Sequence, residues 1–490
     1  MTTSNINLTI DKKQQEKNAK YCKEKGVILP TFAQLRNPQT VPDKIKEELK
    51  GIGLWDLHPR NLFRITWKNE PKAKGGAFGG PNYIVFPPEI TGVKANIVAL
   101  TGKWFPTGAH KVGATYGCLI PPLITGQFDS QNYKAVWPST GNYCRGGSYI
   151  SNLMGVKSIA ILPEGMSRER FDWLRQVAGE VIATPGTESN VKEIFDKCWE
   201  LRKTRTDIHI FNQFEELGNP LWHYNVTGPA FEDILKKEMK SGDRFIGGIF
   251  SSGSAGTLGS GYYLKTRYPH AKVAAAEALQ CPTLLNNGFG AHRIEGIGDK
   301  HIPWIHDIKN TDLVIAVDDE VTMRMLRLFN EKKGREYLQQ KGVKSALLDR
   351  LDLVGISGLG NLTAAIKMAK YYELTEKDWL VTVCTDSMEL YGSRLEELEK
   401  ERGKYSEKNA YQDEEMVNSI GIDYMEELTY QSKKRIHHLK YYTWVEQQGR
   451  TLEELNNQWY GHEDYWQPTF QMAEKIDQMI IEFNQMVAKS

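Results

Sequence analysis

Neither sign of charge dominates this chain of 490 residues: 62 Lys and Arg face 61 Asp and Glu, a net charge of +1 at neutral pH. No electrostatic basis therefore exists for nucleic acid or a membrane surface as partner. Apolar runs stay far below the ~20 residues needed to span a bilayer, and the N-terminus lacks a basic segment followed by an apolar core. A cytoplasmic setting is the expectation. Cysteine is sparse: Cys22, Cys118, Cys144, Cys198, Cys281 and Cys384 show no CxxC spacing and read as reduced thiols. The eleven histidines form no metal-ligand pattern; His301 and His306 are five apart and His437-His438 is a dipeptide, so no transition metal is expected. No internal repeat occurs. What is present instead is a series of short apolar runs, each delivering a small group of polar residues.

The most informative of these is Ala95 to Leu100, which leads through a Pro/Gly turn to Ala109-His110-Lys111. Lys111 falls at a helix start, where the helix dipole opposes its positive charge. A lysine with weakened proton affinity is a nucleophile toward an aldehyde. Taken singly, a surface lysine after a turn is the commoner case. A second run, Phe245 to Phe250, precedes the glycine-rich Ser251-Ser-Gly-Ser-Ala-Gly-Thr-Leu-Gly-Ser-Gly261. A strand, a glycine turn and a helix start aim backbone amides at one point and suit a phosphate. The loop departs from GxxxxGK[ST], which argues against a nucleoside triphosphate. A lysine for an aldehyde and a cradle for a phosphate point together to pyridoxal phosphate.

Two further segments share the layout. Ala135-Val-Trp-Pro leads to Ser139-Thr-Gly-Asn-Tyr-Cys-Arg145, whose hydroxyls, amide and N–H groups suit an amino-acid carboxylate and a ring hydroxyl, although a plain helix cap reads the same way. Trp379-Leu-Val-Thr-Val-Cys ends in Thr385-Asp-Ser-Met-Glu-Leu-Tyr391. If Ser387 meets the pyridine nitrogen, a hydroxyl leaves the ring a weaker electron sink than a carboxylate would, which favours β-elimination over transamination. Asp386 is the rival, since neighbours in an extended segment face opposite ways.

These motifs, with Leu162-Pro-Glu-Gly-Met-Ser-Arg-Glu-Arg170, Asn212-Gln-Phe-Glu-Glu-Leu-Gly-Asn-Pro220, His223-Tyr-Asn-Val-Thr-Gly-Pro229 and Glu295-Gly-Ile-Gly298 in the same order, resemble the pyridoxal-phosphate family that includes cysteine synthase and the tryptophan synthase β subunit. The resemblance covers about residues 95–395. It implies that Lys111 is the Schiff-base lysine, that Asn142 contacts the ring hydroxyl, that Gly253, Ser254, Ala255, Gly256 and Thr257 hold the phosphate, and that Ser387 meets the ring nitrogen. It further implies that Ser139, Thr140, Gly141, Tyr143 and Gln213 clasp the substrate carboxylate, with Gly296-Ile-Gly298 on the substrate side. The activity implied is β-elimination or β-replacement on a β-substituted amino acid through an aminoacrylate. A serine/threonine dehydratase-type lyase would use the same motifs, and a non-catalytic subunit would need none of them together. Homodimerisation is implied as well.

Departures matter too. Tyr143-Cys-Arg145 stands where the family has a small residue, Trp137-Pro138 replace the glutamate expected for tryptophan synthesis, and Ser254-Ala255 replace Thr-Gly. An arginine in the first turn of a helix opposes the dipole, which suggests that Arg145 reads a second anionic group on the substrate.

The fold class expected is α/β, with two parallel-sheet three-layer domains and the cofactor in the cleft between them. The expected divisions are an extension over 1–94 that wraps the body, with a lysine-rich stretch from Lys12 to Lys25 that reads as a solvated helix or tail and an irregular wrap over 31–94; a smaller mobile domain over 95–218 carrying Lys111 and the substrate loop; a larger domain over 219–400 with the phosphate loop and Ser387; and a helical extension over 401–490. In the last of these, Met472, Ile476, Met479, Ile480 and Phe483 mark one face of a helix that packs on its own body or a sister subunit.

Overall fold

The computed structural model describes residues 6–71 and 76–490. Its strands are β1 (Tyr83–Phe86), β2 (Asn96–Thr101), β3 (Lys134–Pro138), β4 (Ser158–Pro163), β5 (Glu180–Thr184), β6 (Ile208–Ile210), β7 (Arg244–Ser251), β8 (Lys272–Ala278), β9 (Leu313–Val317), β10 (Asp378–Cys384) and β11 (Met425–Glu427). They form two sheets, ordered β1-β2-β10-β7-β8-β9-β11 and β5-β4-β3-β6. Strands β2, β10, β7, β8 and β9 run parallel, and the edge strands β1 and β11 are antiparallel to their neighbours. The smaller sheet is parallel throughout. Helices cover the faces of both, so the inner strands are buried on both sides and read as continuous apolar runs; β9 and β10 are buried at every residue.

Strand order decides which loops meet. Because β2, β10 and β7 are adjacent and parallel, the segments that leave their carboxyl ends, with Lys111, Asp386-Ser387 and Gly253–Thr257, converge on one edge. The substrate loop comes from β3 of the other sheet. Helix Asn142–Leu153 brings it in by packing on helix Lys111–Thr125, and Gly146 permits the approach: a Cβ there would lie 2.7 Å from the Val112 Cα.

The expected division of the chain is corrected in two places. Strand β2, which delivers Lys111, belongs to the seven-stranded sheet, so the lysine is not carried by the smaller unit, whose sheet spans β3 to β6. The stretch before residue 95 contributes β1 and several helices in place of an irregular wrap, although Lys74 and Gly75 of its glycine-rich segment lie outside the described residues. Of the two readings of the lysine-rich stretch the structure takes the helix, Lys12–Glu24, solvated on one side and with Asn18, Ala19 and Cys22 buried on the other. Asn18 explains the burial: its amide donates to the Leu123 and Phe128 carbonyls and its oxygen accepts from the Ser130 hydroxyl. The final helix, His462–Lys489, packs on this one with Ile476, Met479, Ile480 and Phe483 inward. It also caps the short helix Phe32–Arg36, the Asp477 carboxylate accepting from the Phe32 and Ala33 amides at 2.6 and 2.9 Å. All six cysteines are free thiols and buried.

Candidate active site

The turn before Lys111 is strained. Thr107 and Gly108 both adopt positive φ, 72° and 69°, and Thr107 is fully buried. The His110 amide donates to the Thr385 carbonyl at 3.2 Å, which ties the lysine to the loop after β10. The His110 ring packs against Trp67 and His223, and burial, reinforced by the Lys111 charge, holds it neutral. Lys111 Nζ donates to the Ser254 hydroxyl of the glycine loop at 2.7 Å. Burial lowers its proton affinity to about 8, against the opposing pull of Glu188 and Cys118. The amine can therefore act as a nucleophile near neutral pH.

The glycine loop is built to approach a ligand closely. Ala255 holds φ at 63°, which turns successive amides toward one side, and helix Leu258–Arg267 begins directly after Thr257. Gly256 tolerates no side chain, because a Cβ would sit 2.0 Å from Asn219 Oδ1. Lys111, Ser139, Thr140, Asn142, Tyr143, Gln213, Gly253, Ser254 and Gly296 border one cleft, together with Arg170, Glu188, Phe214 and Thr385. Most of the residues expected to bind cofactor and substrate are thus brought together.

Of the other expected residues, Gly141, Ala255, Gly256, Thr257 and Ser387 lie in loops that reach the cleft without bordering it, and Arg145 is placed elsewhere. Arg145 does not border the cleft. It is 1% exposed, with its guanidinium 4.8 Å from the Trp173 ring and 5.6 Å from that of Trp55. Three residues of helix leave it only ~60° round from Asn142, so it is the contact with the two indoles that draws its guanidinium away, and they compensate part of its lost hydration. The idea that it reads a substrate anion is therefore corrected. Ser387, two residues from Thr385 of the cleft, has a buried hydroxyl without a hydrogen-bond partner. Asp386 accepts from the Asn142 amide at 2.6 Å and the Tyr391 hydroxyl at 2.7 Å. Ser139 behaves as a cap, its hydroxyl accepting from the Gly141 and Cys144 amides.

A charged network that the motifs do not reveal lies beside these residues. Arg170 pairs with Glu295 at 2.6 Å, donates to Tyr391 Oη at 2.7 Å and approaches Asp386 at 3.7 Å. Glu295 is held in addition by Arg394 at 2.6 Å. Glu188, whose Oε1 accepts from the Thr140 hydroxyl, has no arginine of its own, and its Oε2 has no hydrogen-bond partner. Burial outweighs the attraction of Arg170 and pushes the Glu188 carboxyl up to about 8. Glu188 follows β5, so the rule that sites lie at strand carboxyl ends points to its loop, but a lone glutamate in a turn carries no signal of chemistry.

The donor set fits pyridoxal phosphate on three counts. The amine is available near neutral pH, the glycine loop excludes any Cβ at Gly256, and Asn142 Oδ1 and Ser387 Oγ are buried polar atoms without partners. The likeness to known proteins agrees. A family model described as pyridoxal-phosphate dependent enzyme matches residues 104–337. A cysteine synthase of Staphylococcus aureus is 32% identical over 257 residues, which is 52% of this chain and 74% of that protein. The cystathionine beta-synthase of Saccharomyces cerevisiae is 26% identical over 313 residues, covering 62% of this chain and 58% of that protein. Among solved structures, the O-acetylserine dependent cystathionine beta-synthase from Helicobacter pylori shares 25% identity at a TM-score of 0.53, covering 64% of this chain and 94% of the other. Site and likeness converge on one conclusion: the chain belongs to the pyridoxal-phosphate-dependent enzymes, in the branch that holds cysteine synthase and cystathionine beta-synthase, and acts on amino acids.

Proposed function

We propose that this enzyme removes or replaces the β-substituent of an amino acid, with Lys111 as both the anchor for the cofactor aldehyde and the base that takes the Cα proton. The observation that carries the reading is Lys111 itself, a buried amine with proton affinity near 8, 2.7 Å from the glycine loop and in one cleft with Asn142 and the substrate loop. When bound, the cofactor supplies the electron sink that makes the Cα proton acidic. The chain supplies the rest. Gly253 to Thr257 would hold the phosphate with backbone amides, and Asn142, whose Oδ1 is buried without a partner, would hold the ring hydroxyl. Ser387 is the uncommitted group for the ring nitrogen, because Asp386 is already engaged by Asn142 and Tyr391. Thr140, Tyr143 and Gln213 border the space left for the substrate carboxylate, with Gly141 in the same loop, and Gly296 closes the far wall. Closure of the smaller sheet over this space keeps water from the reacting atoms. The resemblance to the family adds a homodimer working in the cytoplasm.

The test is spectroscopic and then kinetic. Purified protein supplied with pyridoxal phosphate should show an absorbance band that borohydride removes and that Lys111→Ala lacks. A screen of β-substituted L-amino acids should then yield ammonia and a keto acid, or a new amino acid when a thiol is present. A colourless protein that refuses the cofactor in excess overturns the reading.

A further inference from the structure

Three cationic groups and four carboxyls meet behind the substrate loop, and their pairing is unequal. Arg170 and Arg394 share Glu295, at 2.6 Å each, and Arg170 also approaches Asp386. Arg145 stands apart between its two indoles. Glu169 is taken up by Ser393, accepting from its amide and hydroxyl. Glu188 receives the Thr140 hydroxyl on Oε1 and has the Gly296 amide nearby, while Oε2 is buried, without a hydrogen-bond partner, and the residue lies on the wall of the cleft that contains Lys111. A buried carboxyl without a cation of its own keeps its proton, and the proton belongs on the oxygen that accepts nothing.

Resting on the activity proposed above, we infer that Glu188 is the proton donor to the β-substituent as it leaves, and that it adapts the enzyme to amino acids whose β-heteroatom departs only when protonated. The Cβ–X bond breaks with its electron pair passing to X. The Oε2 proton of Glu188 joins X to give HX, leaving a carboxylate. The electron pair of the new Cα–Cβ double bond comes from the Cα–H bond, whose proton Lys111 takes. One proton is gained by Lys111 and one is lost by Glu188, so the ammonium and the carboxylate that result attract each other across the cleft and can exchange the proton back. The groups facing Glu188 are Lys111 from the helix after β2, Arg170 from helix Arg168–Val177, and Glu295 with the Gly296 amide from the loop after β8. Burial and Glu295 favour its neutral form, Arg170 and the two hydrogen-bond donors its charged form, and burial prevails, so that it stays protonated up to about pH 8.

L-serine and β-chloro-L-alanine separate the roles, since hydroxide leaves only with a proton and chloride leaves without one. In Glu188→Gln the ratio of kcat/KM for L-serine to that for β-chloro-L-alanine should fall by about 10²-fold or more, the range of a lost general acid. The ratio is independent of the fraction of variant that folds. Stability supplies a readout without turnover. The folded protein holds this proton to about pH 8 and the unfolded chain releases it near 4.5, so wild type should lose stability relative to Glu188→Gln as pH rises through that window. An unchanged ratio, or a stability difference flat across the window, overturns the assignment while leaving the proposed activity intact. Wild type that consumes neither substrate and shows no borohydride-sensitive band overturns the activity itself, and this assignment with it.

Discussion

Two buried lysines, one in the catalytic cleft and one where the C-terminal extension meets the body, have the same perturbation and opposite uses. Burial lowers Lys111 to about 8 and Lys440 to about 7. Lys440 donates to the carbonyls of Trp304 and His306 and to Gln458 Oε1, at 2.9, 2.7 and 2.7 Å, and lies about 6 Å from the Trp304 and Trp466 rings. Every direction around its ammonium is filled by protein. Lys111 makes one hydrogen bond, to a hydroxyl that itself borders a cleft. Desolvation prepares an amine for reaction, but only unfilled space beside it gives an aldehyde access.

The strongest way to break the comparison is to remove each lysine in turn. Lys111→Ala should abolish the borohydride-sensitive band and lower kcat by at least about 10²–10⁴-fold, as loss of a general base does. Lys440→Met should leave band and kcat in place but strand three buried acceptors, lowering unfolding free energy by about 3 kcal/mol in chemical denaturation. The pH dependence sharpens the second case. Between about pH 7 and 10.5 the unfolded chain carries a proton at Lys440 that the folded protein has released. Raising the pH through that range should therefore stabilise wild type relative to Lys440→Met.

A smaller effect is expected from the glycine loop. In Gly256→Ala the new Cβ displaces Asn219, which bonds the Gln213 carbonyl at 2.9 Å and approaches Ser254. Cofactor affinity, followed by titration of absorbance, should weaken roughly tenfold or more, equivalent to about 1.4 kcal/mol. The smallest belongs to the extension. Asp477→Ala removes a cap from helix Phe32–Arg36 and should cost about 1 kcal/mol of stability with the cofactor band unaltered.

Lys111, the glycine loop and the substrate loop were legible because each couples a strand-like run to residue types with few other uses in that pattern. The apolar runs at Ile159–Leu162, Ile246–Phe250, Leu313–Val317 and Leu380–Val383 all lie inside strands for the same reason. Arg145 was misread because its chemistry in sequence is that of an anion reader, and nothing local shows that Trp55 and Trp173, far away along the chain, take its guanidinium. Glu188 went unnoticed for the converse reason. A glutamate is ordinary until its neighbours are known, and here Arg170 and Arg394, which could have ionised it, are drawn to Glu295.

The sequence by itself determined the local chemistry of this protein: which lysine, which amides, and which short strands deliver them, since periodicity and turn composition act over a few residues. Only the tertiary structure decided that β2 joins β10 and β7 rather than the smaller sheet, that Arg145 faces indoles, and that Glu188 is left without a cation. Strand order and the sharing of buried charge depend on contacts between residues tens to hundreds of positions apart, and such contacts form only when the sheets close on one another.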